Sequence, residues 1–336
     1  MAKKDIIVIG GSAGSHGVLR QIVSDLPADL SASLFIATHV PSRHVGYLAE
    51  VLSTISRMPV AQAIDGQPIE RGRVYVAAPD HHLLLMDGII RLGNGPRENI
   101  TRPSIDPLFR SAALSYGPRT VGVILSGLLN DGASGLAAIK ACGGTAVVQH
   151  PLDAEADQMP LAALEAVAAD EVAPASQLGR VLTQITRQDA GGEMDCPRGL
   201  TLEIQIAGGS RLGAEKLREI SEPSALSCPD CGGVLSEMNG ANPLRYRCQI
   251  GHAMTAEVLA SRREGVDEAM RVALRVMEER VTLVSRMAED ARRSGRSAVA
   301  ELYEARATEY AHYATVLREA AVASLEVSRP NRDEAA

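Results

Sequence analysis

The sequence predicts an α/β protein built on a doubly wound, mainly parallel sheet, followed by a small Cys-rich unit and a C-terminal antiparallel helical hairpin. Three observations predict this arrangement. In the first half of the chain, short β-branched runs alternate with stretches of helical periodicity, which is typical of a parallel sheet covered by helices. Three cysteines then cluster between residues 228 and 248, and apolar residues recur at helical spacing from residue 270 onward.

The elements of the first part follow from this alternation. Apolar runs predict buried strands over residues 6–9, 34–37, 74–77, 121–125 and 145–148. Periodicity predicts helices over residues 17–26, 45–55, 107–116, 135–141 and 161–167. Asp87-Gly88 lies between two apolar runs and indicates a hairpin, which we expect as an insertion at the sheet edge.

Composition shifts divide the chain into an α/β domain (1–187), a linker (188–225), a Cys-rich unit (226–254), a helical hairpin (255–328) and a disordered tail (329–336). Paired glycines mark the linker, where residues 200–206 are read as a stray strand. The heptad-like seam of the hairpin is interpreted as its core. The alternative is a surface for partner binding or self-association.

Charge and hydropathy exclude two classes of protein. The formal net charge of -7 and the lack of a long basic run argue against nucleic-acid binding. No apolar stretch approaches the ~18 residues of a membrane span, so we expect no membrane insertion and a cytoplasmic protein. In a reducing compartment the clustered cysteines indicate metal rather than disulfide, while Cys142 and Cys196 are expected to stand alone.

A serine follows the first predicted strand. The turn at residues 10–14 (GGSAG) leads from this strand into a helix that starts near Ser15. Ser12 is therefore expected at the carboxyl end of a strand and beside a helix N-terminus, where ligands and developing negative charge are favoured. The G-x-S-x-G spacing also matches a nucleophile elbow. The alternative interpretation is a plain tight turn.

Two further polar residues each follow a separate predicted strand. His39 comes after residues 34–37, and Asp131 lies in the Gly-rich loop after residues 121–125. If these strands are parallel neighbours, Ser12, His39 and Asp131 meet as nucleophile, general base and an acid that accepts the Nδ1 proton of His39. Taken singly, His39 could be structural and Asp131 could cap the helix over residues 135–141.

Four segments together resemble the signature segments of the chemotaxis protein-glutamate methylesterase family. They are residues 10–15 (GGSAGS), 38–41 (THVP), 99–106 with RPSID at its end, and 126–133 with NDG near its end. They occur in the order found in that family, and the resemblance covers residues 4–185. The best-known members carry an N-terminal receiver domain, whereas this sequence begins at the catalytic strand. We therefore expect a stand-alone enzyme whose activity is constitutive or is set by the C-terminal region or a partner.

The resemblance implies a catalytic domain with Ser12 as nucleophile, His39 as base and Asp131 as orienting acid, without a cofactor for catalysis. It implies hydrolysis of γ-methyl glutamyl esters on methyl-accepting chemotaxis receptors, with deamidation of receptor glutamines in some members. The backbone N–H groups of Ala13 and Leu128 are the implied oxyanion and substrate-binding groups. Two departures lie nearby, because Ala13 replaces a frequent Thr and Leu128-Leu129 replace a common Met-Gly.

The cysteine cluster predicts a zinc site. Cys228, Cys231, Cys248 and His252 have the spacing C-x2-C-x16-C-x3-H, which supplies four ligands for a closed, structural zinc. Residues 234–247 are expected to form a hairpin that carries the two halves, and the metal would help so small a unit to fold. The alternative is a ribbon that has lost its metal.

Two other functions compete with the esterase. One is a catalytically weak signalling adaptor that keeps the esterase fold and binds partners through its C-terminal region. The other is a nucleotide-binding α/β protein that uses the Ser12 loop, although neither the dinucleotide nor the P-loop fingerprint is present.

Overall fold

The computed structural model describes residues 2–39, 47–192, 194–211, 213–262 and 264–326. Its strands are β1 (Ile6–Gly11), β2 (Ser33–Thr38), β3 (Val60–Gln62), β4 (Val74–Val76), β5 (His82–Met86), β6 (Ile89–Gly93), β7 (Thr120–Ile124), β8 (Thr145–Gln149), β9 (Glu171–Ala173), β10 (Ser221–Ser227), β11 (Val234–Met238), β12 (Arg245–Cys248) and β13 (Ala253–Thr255). Its α-helices are α1 (Ser15–Asp25), α2 (Leu48–Ser53), α3 (Ile105–Tyr116), α4 (Ala133–Ala141), α5 (Gln158–Ala166), α6 (Ala175–Ile185), α7 (Gly199–Ala207), α8 (Gly213–Arg218), α9 (Ala256–Ser261), α10 (Glu264–Arg293) and α11 (Ser297–Glu326).

The main sheet is parallel throughout and carries helices on both faces. Its order is β3-β4-β2-β1-β7-β8-β9. Side chains alternate along β1, so that Ile7 and Ile9 face one layer while Ile6 and Val8 face the other. The first layer contains α1, α2 and α6, and the second contains α3, α4, α5 and α7. The doubly wound α/β fold expected from the sequence is confirmed.

The chain changes direction across the sheet between β1 and β7. From β1 it runs to β2 on one side, and it later returns to β7 on the other side. The carboxyl ends of β2, β1 and β7 therefore lie side by side, with Gly11 opposite Thr38 and Gly10 opposite Ile124. Loops that diverge at such a point leave a crevice, which is where doubly wound proteins place their ligands.

The five predicted strands all lie in this sheet, and the five predicted helices match α1 to α5. Part of the predicted helix over 45–55 falls on residues 45 and 46, which lie outside the described residues. The Asp87-Gly88 hairpin forms as β5 and β6, a separate two-stranded sheet that packs on α3. There, the Leu85 N–H donates to Ser111 Oγ at 3.0 Å, and Ser115 Oγ donates to the Leu85 carbonyl at 2.8 Å.

The prediction of a strand over residues 200–206 is wrong, because these residues form helix α7. Polar and apolar residues alternate there, which suggested a strand. In the structure Leu200 and Ile204, four residues apart, pack together into the core layer that contains α3. Glu203, between them, is also buried, and a buried carboxylate needs charged partners.

Those partners come from the Cys-rich unit. It is an antiparallel sheet, β10-β11-β12-β13, in which the expected hairpin over 234–247 appears as β11 and β12. Two arginines of β12 point into the α/β domain. Arg245 donates to Glu203 Oε1 at 2.6 Å, while Arg247 donates to Glu203 Oε2 at 2.9 Å and to Glu98 Oε1 at 3.0 Å. Arg110 of α3 completes the cluster by pairing with Glu98.

This buried charge cluster joins the ribbon to the α/β domain. Arg110 and Arg247 are almost fully buried, as are Glu98 and Glu203. Burial acts to raise the pKa of Glu98, but the charges of Arg110 and Arg247 outweigh it and lower that pKa. A buried cluster of this kind is destabilising as soon as one sign is removed. Accordingly, the boundary between the two compact units of the chain falls between residues 260 and 261, beyond the ribbon.

Cys142 and Cys196 form a disulfide, so the expectation that they stand alone is wrong. Cys142 ends helix α4 and Cys196 lies in the segment that leads into α7. Their Cα atoms are 4.8 Å apart although 54 residues separate them in sequence. The packing of α7 and the segment before it on α3 brings them together, and a spacing pattern does not reveal such long-range pairing.

The second unit contains the helices α10 and α11. Arg292 pairs with Glu304 at 2.7 Å, and Arg318 pairs with Glu278 at 2.6 Å. Because the early part of one helix meets the late part of the other, the two run antiparallel, as the sequence predicts. The predicted tail at 329–336 lies outside the described residues. None of the described helices is both long and apolar enough to cross a membrane.

The charge cluster makes a prediction about where the chain can be shortened. Ending it after residue 190 removes Arg247 and Glu203 together with the apolar cover that α7 gives to α3. We expect the free energy of unfolding to fall by at least about 3 kcal/mol. Ending the chain after residue 262 removes only the second unit and should leave the unfolding of the first unit unchanged. Thermal unfolding followed by circular dichroism compares the two, and equal stability would contradict the role assigned to the cluster.

Candidate active site

Three side chains that are distant in sequence form one hydrogen-bonded chain at the carboxyl edge of the sheet. Ser12 Oγ lies 3.1 Å from His39 Nδ1, and His39 Nε2 lies 2.7 Å from Asp131 Oδ2. They follow β1, β2 and β7, the adjacent strands at the crevice. The structure therefore brings together the three residues that the sequence singled out.

The backbone around Ser12 is fixed on both sides. Gly14 adopts a left-handed conformation (φ 75°), where a Cβ atom would collide with Ser126 and Glu155, and α1 starts at Ser15. The Ser12 N–H donates to the Ser126 carbonyl at 2.9 Å, and Ser126 Oγ donates to the Ala13 carbonyl at 2.7 Å. Ser12 itself is half-buried, so its hydroxyl is both held in place and accessible.

His39 is oriented differently from the expectation. The sequence predicted that Asp131 accepts the Nδ1 proton, but Nε2 faces Asp131 and Nδ1 faces Ser12. An ionised Asp131 accepts the Nε2 proton, so the neutral ring has Nδ1 free to accept the Ser12 hydroxyl proton. The chemistry is the same with the two ring nitrogens exchanged. Residues 40–46, which include the end of the THVP segment, lie outside the described residues.

The Asp131 carboxylate accepts several hydrogen bonds besides that of His39. The Ile105 N–H donates at 2.7 Å, Ser104 Oγ at 2.8 Å and Asn99 Nδ2 at 2.9 Å. Asp131 thus lies at the N-terminus of α3, whose unpaired N–H groups favour an anion. It does not cap α4, the helix of its own loop, because its backbone and side-chain donors come from α3, the loop before α3 and His39.

Asp106 makes the reciprocal contact. Although it belongs to the first turn of α3, its Oδ1 accepts the N–H groups of Gly132 and Gly135 at the start of α4, at 3.1 and 2.6 Å. Asn99 lies between the two acids and donates Nδ2 to Asp106 Oδ2 at 3.0 Å as well as to Asp131. Each acid therefore binds the N-terminus of the other acid's helix: Asp131, just before α4, binds the start of α3, and Asp106, in α3, binds the start of α4. Asn99 donates to both acids.

These two buried acids have opposite pKa shifts. Burial, followed by the negative charge of Asp131, raises the pKa of Asp106 to about 7. Burial also acts to raise the pKa of Asp131, but the hydrogen bond and charge of His39, together with the donors Ile105 and Asn99, lower it to about 2. Asp131 is therefore the carboxylate that stays ionised at neutral pH, as an acid that orients an imidazolium must.

The two residues implied as oxyanion donors flank this chain. Ala13 follows Ser12 at the start of the turn into α1, and Leu128 lies in the loop after β7, where 53% of its surface is exposed. Gly127 lies against Ser12, since a Cβ atom at Gly127 would come within 3.0 Å of Ser12 Cβ. Ala13 is thus next to Ser12 in sequence, and Leu128 follows a residue that lies against Ser12.

The cysteine cluster is a second candidate site. One ligand atom each from Cys228, Cys231, Cys248 and His252 lies within 4.8 Å of the others. The Sγ atoms of Cys231 and Cys248 are 3.7 Å apart, and His252 Nδ1 lies 3.6 Å from Cys248 Sγ. A tetrahedral zinc with bonds of about 2.3 Å to sulfur places neighbouring sulfurs about 3.8 Å apart. The donor set and its spacing therefore fit zinc.

Sequence reasoning missed several residues that hold the site: Asn99, Ser104, Asp106, Ser126, Thr255 and Gln149, which accepts the Ser126 N–H. Asn99, Ser104, Asp106 and Ser126 lie within the four recognised segments, where a role for each could have been sought. Thr255 carries no such signal, because it follows the cysteine cluster in an ordinary stretch of sequence.

Comparisons with known proteins identify the family of the α/β part. The family model for the CheB methylesterase matches residues 7–182. A protein-glutamate methylesterase/protein-glutamine glutaminase of Anaeromyxobacter dehalogenans is 38% identical over 186 residues, covering 55% of this chain and 54% of that protein. A putative enzyme of the same name from Leptospira interrogans is 37% identical and is covered to 96%, again over 55% of this chain. The chain thus spans about half the length of the first relative and nearly all of the second.

A solved structure is similar over the same region. The crystal structure of the CheB methylesterase catalytic domain of Thermotoga maritima is 31% identical in sequence and superposes with a TM-score of 0.52. The match covers 98% of that chain and 55% of this one. The α/β part of this protein therefore has the fold of that catalytic domain, and the ribbon and helical hairpin lie beyond it.

The raised pKa of Asp106 predicts a pH effect. An acid whose pKa is higher in the folded protein than in the unfolded chain contributes stability that is present in acid and lost as pH rises through the folded value. Between pH 5 and pH 8, this group should lower the free energy of unfolding by about 1–4 kcal/mol. Urea unfolding at both pH values, compared with the Asp106→Asn variant, measures this contribution.

In Asp106→Asn, the part of the difference in unfolding free energy between pH 5 and pH 8 that comes from this carboxyl group should disappear. The variant's absolute stability is expected to fall at both pH values, because the amide group introduced at position 106 would face the Asn99 amide, so the readout is the difference between pH 5 and pH 8. The variant Asp29→Asn, at an exposed position in the loop after α1, serves as the control and should keep the wild-type difference. An unchanged difference in Asp106→Asn would contradict the assignment.

Proposed function

Because the chain belongs to the CheB methylesterase family, we propose that it is a serine esterase that removes methyl groups from glutamate γ-methyl esters on methyl-accepting chemotaxis receptors. The observation that carries the proposal is the hydrogen-bonded chain from Ser12 through His39 to Asp131. The names of the relatives support the same activity and add protein-glutamine deamidation as a second reaction of the site.

In the proposed reaction, Ser12 Oγ attacks the ester carbonyl carbon while its proton passes to His39 Nδ1. Asp131 accepts the Nε2 hydrogen bond throughout and stabilises the imidazolium that forms. Collapse of the tetrahedral intermediate breaks the bond to the methoxy group, which leaves as methanol with the proton from His39. The result is a glutamyl ester of Ser12.

Water completes the cycle. His39 Nδ1 takes a proton from a water molecule, whose oxygen attacks the acyl carbon, and the proton then returns to Ser12 Oγ as the ester bond breaks. The product is the free glutamate side chain. With a glutamine substrate the same steps release ammonia in place of methanol, which gives the deamidation.

Both steps develop an oxyanion, for which we propose the backbone N–H groups of Ala13 and Leu128 as donors. Backbone donors do not depend on the side chain, so the replacement of the family's frequent Thr by Ala13 leaves this role intact. The N-terminus of α1, directly after the Ser12 turn, adds a favourable partial charge. The reaction itself uses no cofactor.

We propose that the chain acts in the cytoplasm, the compartment that the sequence predicts. Association through the helical hairpin stays a prediction, which light scattering of the chain with and without residues 263–336 would test.

Replacement of the nucleophile tests the function. Ser12→Ala should lower methanol release from methylated receptor by about 10³-fold or more, because the attacking oxygen is lost while binding remains. Methanol released from receptor carrying labelled methyl groups is the measurement, with circular dichroism to verify folding. Ser53→Ala, which alters an exposed serine at the end of α2, should keep full activity. Undiminished release by Ser12→Ala would refute the proposed nucleophile.

We also propose that Cys228, Cys231, Cys248 and His252 hold a structural zinc ion. Four protein ligands close the coordination sphere, so the ion would fold the ribbon and take no part in the ester chemistry. The four-stranded ribbon has a small apolar core around Leu235, Tyr246 and Met254, and such units depend on their metal for stability.

Metal analysis tests the zinc site. Gently purified protein should contain about one equivalent of zinc, and Cys231→Ser should lose most of it because one of four ligands is gone. The exposed Asp195→Asn variant, between the α/β domain and α7, should keep the wild-type content. Less than about a tenth of an equivalent in the wild-type protein would sink the proposal.

A further inference from the structure

The last strand of the ribbon, β13, contacts Asn99, a residue that donates to Asp131. The Asn99 N–H donates to the Ala253 carbonyl at 2.8 Å, and the Thr255 N–H donates to Asn99 Oδ1 at 3.2 Å. Asn99 in turn donates its side-chain amide to Asp131. Every polar group of the Asn99 side chain is thus used, with its oxygen on the ribbon and its nitrogen on the two acids.

The Thr255 hydroxyl makes a second connection. Thr255 Oγ1 donates to Asn130 Oδ1 at 2.7 Å and accepts the Val258 N–H at 3.2 Å. Asn130, directly before Asp131, also donates Nδ2 to Glu257 at 2.7 Å. Thr255 and Asn130 are buried, so these bonds form away from water, where an unmade bond is costly.

The backbone of Leu129, two residues before Asp131, is strained, and packing on the ribbon stabilises its conformation. Leu129 adopts a left-handed conformation (φ 60°), which is unfavourable for a branched side chain. Its side chain packs against the apolar core of the ribbon, around Cys248, Met254 and Val258. The two residues before Asp131, Leu129 and Asn130, therefore both contact the ribbon.

From these contacts we propose that the ribbon is a working part of the active site, in which Thr255 is a positioning residue that holds Asn99 and Asn130 and, through them, the Asp131 carboxylate. The proposal rests on the proposed function for its effect on turnover. It goes beyond that function because it assigns part of the catalytic geometry to a unit outside the region that matches the family.

The proposed zinc site is connected to the same residues. Arg247 precedes the ligand Cys248, donates Nη1 to the Gly251 carbonyl at 2.8 Å and donates Nη2 to Glu98 at 3.0 Å. Glu98 directly precedes Asn99. The second half of the ligand set is therefore fixed to Glu98, and so to the neighbouring Asn99, through a fully buried arginine. Loss of the metal should loosen Asn99, whereas removal of the Thr255 hydroxyl should loosen Asn130.

The test is Thr255→Val, which keeps the shape of the side chain and removes its hydroxyl. Two amides report on Asp131 directly, because the Ile105 and Asp106 N–H groups donate to it. Their hydrogen exchange should accelerate by about 10-fold. With methylated receptor, kcat should fall by about 10- to 100-fold while KM changes by less than about twofold, since the lost geometry matters in the transition state.

Two matched variants separate positioning from general destabilisation. Thr255→Ser restores the hydroxyl and should restore both exchange and kcat. Thr120→Val removes a buried hydroxyl that bonds the Ala112 carbonyl at the far end of α3, and it should leave both unchanged. The same exchange experiment on wild-type protein stripped of metal by a chelator should accelerate the Ile105 and Asp106 amides, and it serves in place of Thr255→Val if that variant does not fold.

A substrate-independent measurement keeps the two proposals apart. An alkyl fluorophosphonate reacts with an activated serine hydroxyl, which displaces fluoride and passes its proton to the base. Labelling of Ser12 by this probe should slow in Thr255→Val as kcat does. If wild-type protein releases no methanol but the exchange and labelling effects occur, the receptor substrate is wrong and the positioning role stands. Normal exchange and labelling in folded Thr255→Val, or in metal-free protein, would overturn the inference.

Discussion

The buried carboxylate of Asp131 is the constraint on which the site depends. It has to remain ionised in an interior that disfavours charge, and it does so because His39, the first turn of α3 and Asn99 all donate to it. Each donor comes from a different part of the chain. The position of Asp131 therefore requires that β2, α3 and the loop before α3 lie together. A displacement of any of them would alter the hydrogen bond between Asp131 and His39.

Asp106 shows how two acids share such a place. A second carboxylate beside Asp131 raises the cost of ionisation for both, and the structure resolves this by giving them opposite shifts. Asp131 is stabilised by the charge of His39 and by the N-terminus of α3, while Asp106 accepts the N–H groups at the N-terminus of α4. Because each acid binds the N-terminus of the other helix, these bonds hold α3 and α4 together beneath the site. The same contacts therefore stabilise the fold and position the Asp131 carboxylate.

How much the sequence could predict depended on the range of the interactions. Ser12, His39 and Asp131 were predictable because each follows a buried strand, and parallel strands bring their carboxyl ends together. The ring orientation of His39 was not, because it depends on where Asp131 approaches. Glu98, Arg110 and Glu203 resemble solvated charges in sequence, and only their contact with Arg245 and Arg247 shows that they are buried. The alternating residues 200–206 form a helix for the same long-range reason.

The ribbon lies beyond the region that matches the family, and the sequence alone offered no reason to connect it with the active site. The ribbon pairs its arginines with acids of the α/β domain, and it adds Thr255 to a hydrogen-bond network that ends at Asp131. Leu129, where the family commonly has glycine, fits this view, because a left-handed backbone is free for glycine but here is held by packing on the ribbon. A loop that tolerates leucine at this position needs an external support. The ribbon provides it, so the departure from the family pattern and the added unit have a common physical explanation.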